Sequence, residues 1–355
     1  MLSQTPMISR TSIYTCAGRA IGARDPDPSV RNPDYLAETL LGDPSRFEID
    51  HAAVRSLGLP YEEAMKDPEV VSTVRMMMVR TRFIDDALER AVASGASHVV
   101  ILGAGFDSHA YRCQPLLADV RVFEVDRPET QAFKRQRVQE ALGGPPTNLT
   151  YVPLDIHHDT LADALQRHGH DQSVRTFFIM EGVTMYVPEE GVRNALRYVA
   201  SHPPGSAIVF DFMYRPMIDL LGSIDWATVP EAFKPFVRRF LELIKDEPWV
   251  FGIPVGGERA FLQEVGLELR ELLTIGGEES IRRYATRADG TQVGAEALAE
   301  AMARMQQRAR EAGPHSPEAQ ATSPDRMREQ QRIMAYQLAE AVVPGIPLPA
   351  QEVAR

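Results

Sequence analysis

The chain has 355 residues, 44% hydrophobic and 25% charged, with 38 Lys and Arg against 49 Asp and Glu for a formal net charge of −11. That length can bury one large core or a core with an added lobe, and the composition is ordinary for a soluble globular protein. The acidic balance offers no basic footprint for wrapping nucleic acid, and no apolar run approaches the ~20 residues that cross a bilayer.

The N-terminus, Met-Leu-Ser-Gln-Thr-Pro, lacks the apolar segment of a secretion signal. Cys16 and Cys113 show neither metal spacing nor a disulfide framework. A cytoplasmic setting is expected, with a small molecule rather than nucleic acid or membrane as partner. Monomer and homodimer are both open. Residues 1 to about 70 alternate Pro- and Asp-rich loops with short amphipathic pieces such as 35–41. A helix is predicted over 71–92, where Val79, Phe83, Ala87 and Val92 recur along one side.

From 97 to 212, strands predicted at 98–102, 120–125, 149–154, 175–181 and 206–212 alternate with helices near 107–117, 128–142, 159–168 and 188–201. Apolar runs such as Val-Val-Ile-Leu and Thr-Phe-Phe-Ile-Met read as parallel strands covered on both faces. The prediction is an α/β fold with a doubly wound, mostly parallel sheet. Residues 213–250 carry Met, Trp, Phe and Pro without strand signals and read as a helical lid at the carboxyl edge of the sheet. A helix–strand pair follows, with Gly266 as the helix stop. Residues 313–325 read as a loop, and for 333–343 periodicity leaves helix and last strand open. The expected organisation is an N-terminal helical segment over 1–95, a nucleoside-binding core over 96–212, the lid over 213–252, a C-terminal completion of the sheet over 253–345 and a tail over 346–355.

The chemistry concentrates at the strand ends. The first predicted strand breaks into the turn Gly103-Ala104-Gly105, where a ligand can approach bare backbone. The second ends in two acids, Glu124 and Asp126. An acid at 126, 21 residues past Gly105, is placed to accept hydrogen bonds from a ribose diol. A dinucleotide fold prefers a third glycine, and here that place is Ser or His, in Gly-Ala-Gly-Phe-Asp-Ser-His. This suits a nucleoside ligand without a pyrophosphate to cradle, such as S-adenosylmethionine. Asp107 beside the turn would welcome its ammonium group, although the same residue is equally placed to cap a helix. Asp155 closes the third strand, where it can grip an adenine. Glu181 closes the fourth in a run too apolar to hold a carboxylate without a partner or ligand. Arg80, on the helix before the first strand, can offer a guanidinium fork to the methionine carboxylate.

Together, Val-Arg-Thr-Arg-Phe-Ile-Asp-Asp-Ala-Leu at 79–88, Gly-Ala-Gly-Phe-Asp at 103–107, Glu-Val-Asp-Arg-Pro at 124–128 and Glu-Gly-Val-Thr-Met-Tyr at 181–186 resemble the leucine carboxyl methyltransferase family. The likeness is closest to its bacterial branch of S-adenosylmethionine-dependent O-methyltransferases, which includes polyketide-tailoring members. It covers roughly 75–215 well, 1–40 weakly and the lid hardly at all. The resemblance implies a class I methyltransferase fold in which Arg80 binds the cofactor carboxylate, Gly103 lies against the methionine part and Asp126 takes the ribose. It further implies that Asp155 and Ile156 take the adenine, Glu181 the amino group, and that Arg19 is the family's basic N-terminal residue. The protein-phosphatase-tail specificity of eukaryotic members does not carry over, because the segments that would read that tail do not match.

A methyl transfer to a carboxylate needs no base, whereas a hydroxyl acceptor would. Candidates for such a role are His109, Tyr186 and Tyr214, with Tyr111 and Asp211 behind them. His157, His158 and Asp159 with His168 and His170 do not share a helix face, and no metal site is expected there. Two other functions fit the strand–turn–acid unit: a nicotinamide-dependent oxidoreductase, and a catalytically silent protein that keeps the cofactor pocket.

Overall fold

The computed structural model describes residues 9–345 apart from 48, 155–158, 232–233, 314–315, 317–318 and 320–332. Seven strands, β1 (His98–Leu102), β2 (Arg121–Asp126), β3 (Leu149–Pro153), β4 (Thr176–Met180), β5 (Ala207–Phe212), β6 (Glu268–Thr274) and β7 (Gln337–Val342), form one sheet in the order β3-β2-β1-β4-β5-β7-β6. β1 to β5 run parallel, and β7 lies antiparallel between β5 and β6. All residues of β1, β4 and β5 are buried, as expected for strands that helices cover on both faces. Strand order reverses between β1 and β4, so the carboxyl ends of these two strands flank the crevice where open α/β sheets bind ligands.

Alternation along each strand divides the core. Val99, Ile101, Val122, Ile179 and Val209 pack with the helices Arg10–Gly22 and Pro68–Ala93. Val100, Leu102, Phe123, Phe178, Met180 and Phe210 face the other way, toward the helices Glu189–Ala200 and Glu258–Glu264. The long helix opens with Pro68 in its first turn and the Asp67 side chain accepting the Glu69 N–H at 2.8 Å, a cap that satisfies one orphan donor.

Where the sequence predicts one helix near 107–117, the chain makes two short ones, His109–Arg112 and Gln114–Leu117. Pro115 explains the break, since it has no N–H to donate and its ring would crowd the carbonyl four residues back. Gly266, with φ +87°, stops the helix Glu258–Glu264 as expected. The undecided C-terminal stretch is the strand β7. Two helices the sequence reading did not single out, Glu278–Tyr284 and Ala295–Ala312, follow β6. The segment 213–252, expected to form a lid, contains the helices Arg215–Gly222 and Lys234–Ile244, which contribute to a separate small cluster of Met185, Met213, Met217, Ile218, Ile244 and Trp249. Among the described residues no helix is long and apolar enough to cross a membrane.

Candidate functional site

The turn after β1 is made by backbone that only glycine adopts readily. Gly103 has φ +65° and Gly105 φ +38°. A Cβ on Gly103 would sit 2.4 Å from Val183 Cγ2, in the loop after β4. Gly103→Ala is therefore expected to lower stability by about 1–3 kcal/mol through strain and overlap, read by urea denaturation. Asp126, at the tip of β2, braces this turn. Its Oδ2 accepts the Gly105 N–H at 2.6 Å and its Oδ1 the Arg127 N–H at 2.7 Å, leaving lone pairs on both oxygens for a further donor. Burial raises its pKa, with the two backbone bonds opposing.

Across the crevice, alternation sends Glu181 and Asp211 to the same face as Asp126, toward the helix that carries Arg80. Arg80 is 4% exposed, with Nη2 2.6 Å from Glu181 Oε1 and Nη1 3.1 Å from Asp211 Oδ2. Its Nε is buried without a hydrogen bond. Arg19, from the N-terminal helix, lies 3.8 Å from the same Glu181 oxygen and is itself held by Asp34 at 2.8 Å and the Phe106 carbonyl at 3.0 Å. Burial raises the Asp211 pKa, opposed first by Arg80 and then by the Gly182 N–H at 2.7 Å. Two guanidinium groups and two acids thus stand side by side next to bare backbone.

The sequence matches the family model for leucine carboxyl methyltransferase over residues 12–200, which spans the N-terminal helix, the glycine turn, Asp126 and Glu181. The chain belongs to the leucine carboxyl methyltransferase family. A Bacillus subtilis relative provisionally named as the S-adenosyl-L-methionine-dependent methyltransferase YktD is 30% identical over 227 residues, covering 61% of this chain and 74% of that one. A relative in Mycobacterium bovis BCG, with a like provisional name, is 33% identical over 243 residues, covering 66% of this chain and 74% of its own length. The nicotinamide reading is not favoured for a member of this methyltransferase family, in keeping with the missing third glycine.

Several expected site residues of this methyltransferase-family chain sit elsewhere. Glu124 shares a strand face with Asp126 but lies beneath the helix Pro128–Leu142, 1% exposed, with Lys134 Nζ at 2.8 Å. Burial lifts its pKa to about 7 against the pull of Lys134. It is a core ion pair rather than a crevice group.

Asp107 does not offer its carboxylate to the crevice either. Oδ1 accepts the His109 N–H at 2.8 Å and Oδ2 lies 2.6 Å from His109 Nδ1. The far ring nitrogen of His109 is 3.0 Å from Asp85 Oδ1, and Arg112 forks onto Asp85 at 2.8 and 2.6 Å. Burial works against charge on His109, yet the flanking carboxylates outweigh it and lift its pKa to about 9. His109 is 2% exposed with a carboxylate at each ring nitrogen, so neither nitrogen is left free to take a proton from an acceptor, which corrects the expected role as a base.

Tyr214 is corrected too. It faces the opposite side of the sheet, 7% exposed and ring-packed on Phe212 at 5.7 Å. Tyr186 stays near the crevice, its hydroxyl donating to Thr11 Oγ1 at 2.9 Å. Two tyrosines the sequence did not reveal join it: the hydroxyls of Tyr14, Tyr186 and Tyr336 are within electrostatic reach of one another, and Tyr14 and Tyr336 also of Arg80 and Asp211. Burial raises all three phenol pKa values.

Asp155 and Ile156 lie outside the described residues, as do His157 and His158. His170 is 6% exposed and bonded through its two ring nitrogens to His98 at 3.1 Å and His202 at 3.0 Å.

Proposed function

We propose that this chain transfers the methyl group of S-adenosylmethionine to a carboxylate oxygen of a small molecule. The observation that carries the reading is the pairing of Arg80 and Glu181 at 2.6 Å beside a turn whose Gly103 is exposed. An α-amino acid zwitterion needs both signs within one residue's reach, and this pair supplies them. In the proposal Arg80 and Arg19 hold the carboxylate of the cofactor, Glu181 its ammonium, and Asp126 its ribose hydroxyls. The orphaned Arg80 Nε is a donor left over for such a ligand. Gly103 and Gly105 keep side chains out of the space between these groups. The adenine would be held by Asp155 and Ile156.

The bound cofactor supplies an electrophilic methyl on a sulfonium, so this chain's own contribution is alignment and exclusion of water. The state of the nearby groups favours a carboxylate acceptor over a hydroxyl. Tyr14, Tyr186 and Tyr336 keep their protons at neutral pH because burial disfavours the phenolates, and Asp211 is engaged by Arg80 and Gly182. Donors of this kind orient an acceptor that already carries its charge, and they deprotonate nothing. Within this reading the division into helical cover over 1–95, core over 96–212 and lid over 213–252 places the acceptor between core and lid.

Calorimetry with S-adenosylhomocysteine tests the assignment. The wild-type chain is expected to bind it with micromolar affinity. Asp126→Ala is expected to weaken binding by roughly 1–3 kcal/mol, the scale of hydrogen bonds to a charged group. Unchanged affinity would remove Asp126 from the ribose role, and NAD binding in place of S-adenosylhomocysteine would overturn the function.

A further inference from the structure

We infer that Lys134, buried beside the glycine turn, is a positioning residue for cofactor binding: it holds one edge of the Ala104–Gly105 peptide while Asp126 holds the other. The inference rests on the cofactor site proposed above. The Ala104 carbonyl and the Gly105 N–H belong to one planar peptide group. Asp126 Oδ2 accepts the N–H at 2.6 Å, and Lys134 Nζ donates to the carbonyl oxygen at 3.5 Å. The Asp107 N–H reaches the same oxygen at 2.6 Å, so both of its lone pairs are engaged.

A peptide that precedes glycine turns over at little cost, because glycine accepts either sign of φ, and Gly105 stands at +38°. Turned over, this peptide would aim its carbonyl at the Asp126 carboxylate and withdraw the N–H that braces it. In the proposed site Asp126 would then no longer present its remaining lone pairs to a ribose. Glu124 fixes the lysine in place. Lys134 is 3% exposed, with its Nζ 2.8 Å from Glu124 Oε1 and 5.4 Å from the centre of the Tyr111 ring. Glu124 Oε2 accepts the Tyr111 hydroxyl at 3.3 Å, and that hydroxyl is 2.9 Å from the Tyr151 hydroxyl on β3. The ammonium also favours the charged forms of Asp126 and Asp107. As a source of stability such a pair is a poor choice, since a buried ion pair often does no better than apolar residues of the same volume. What it supplies, and apolar residues could not, is a donor fixed beside the turn.

Lys134→Met leaves Glu124 buried without its counter-charge and should lower the urea midpoint sharply. Lys134→Met/Glu124→Gln removes both charges, keeps an acceptor for Tyr111, and should recover most of that midpoint. Its S-adenosylhomocysteine affinity should still lie at least tenfold below wild type. Gly105 amide hydrogen exchange, followed by NMR, should be slow in the unmodified chain without ligand and at least tenfold faster in the double variant. A double variant that regains wild-type affinity along with its stability would show a merely structural pair and overturn the positioning role. Unprotected Gly105 in the unmodified chain, or wild-type exchange in the double variant, would overturn it as well. Failure of the underlying cofactor reading shows separately, as absence of S-adenosylhomocysteine binding in an unmodified chain whose Gly105 amide is protected.

Discussion

Arg80→Ala is expected to weaken S-adenosylhomocysteine binding at least a hundredfold and to destabilise the fold by about 3–5 kcal/mol, because it removes the main partner of the buried Asp211 and of the partly buried Glu181 at once. Glu181 and Asp211 both approach the Arg80 fork, at 2.6 and 3.1 Å. With the fork gone, Arg19 at 3.8 Å is left near Glu181, and Asp211 keeps only the Gly182 N–H. An uncompensated buried charge, rather than the lost attraction itself, sets that cost. Arg80→Lys separates the two effects. A lysine keeps the charge and most of the stability but cannot fork onto a carboxylate, so urea midpoints should recover while affinity stays more than tenfold below wild type. Wild-type-like affinity in a folded Arg80→Ala protein would remove Arg80 from the cofactor site.

The parts of this protein that were legible in its sequence are those whose signal is local. β1, β4 and β5 are built on the apolar runs Val-Val-Ile-Leu, Phe-Phe-Ile-Met and Ala-Ile-Val-Phe, as strands buried on both faces require. The glycine turn and Asp126 were legible because positive φ and a strand-terminal acid are written within a few residues. Glu181 stood out because a carboxylate inside Phe-Phe-Ile-Met-Glu-Gly demands a partner, and Arg80 and Arg19 prove to be beside it.

What failed to show depends on contacts between distant segments. β7 was ambiguous because Glu340 interrupts its apolar pattern. In the fold that glutamate is fully buried and held by Arg90 at 2.7 Å and Arg270 at 2.8 Å, neither of them a neighbour in sequence. Tyr14 and Tyr336 come from opposite ends of the chain, and nothing local marks either as lining a crevice. Glu124 misled for a different reason. It shares the face of Asp126, but only the last acid clears the overlying helix, and Lys134 claims the other. Asp107 could serve a ligand or its own backbone, and the neighbour two residues on decided it: His109 takes both carboxylate oxygens.

His109 also fixes how stability should vary with pH. Its folded pKa, about 9, stands above the ~6.5 of an unfolded histidine. Below pH 6.5 both states carry the proton and the full stabilisation is present. Between 6.5 and 9 the unfolded chain has released its proton while the folded one retains it, so each rise in pH favours unfolding. Near pH 9 the contribution is gone, a total of about 3 kcal/mol at ~1.36 kcal/mol per pKa unit. Asp107 supplies most of the attraction that holds this charge, and Asp85 adds to it from the far ring nitrogen while being anchored by Arg112. His109→Gln can still bond to Asp107 but has no proton to lose, so its unfolding free energy should lie below wild type at pH 6 and converge toward it by pH 9.5. Urea denaturation across that range reads the difference directly. Parallel wild-type and His109→Gln curves would mean that His109 is neutral in the folded protein, which would return it to consideration as a base.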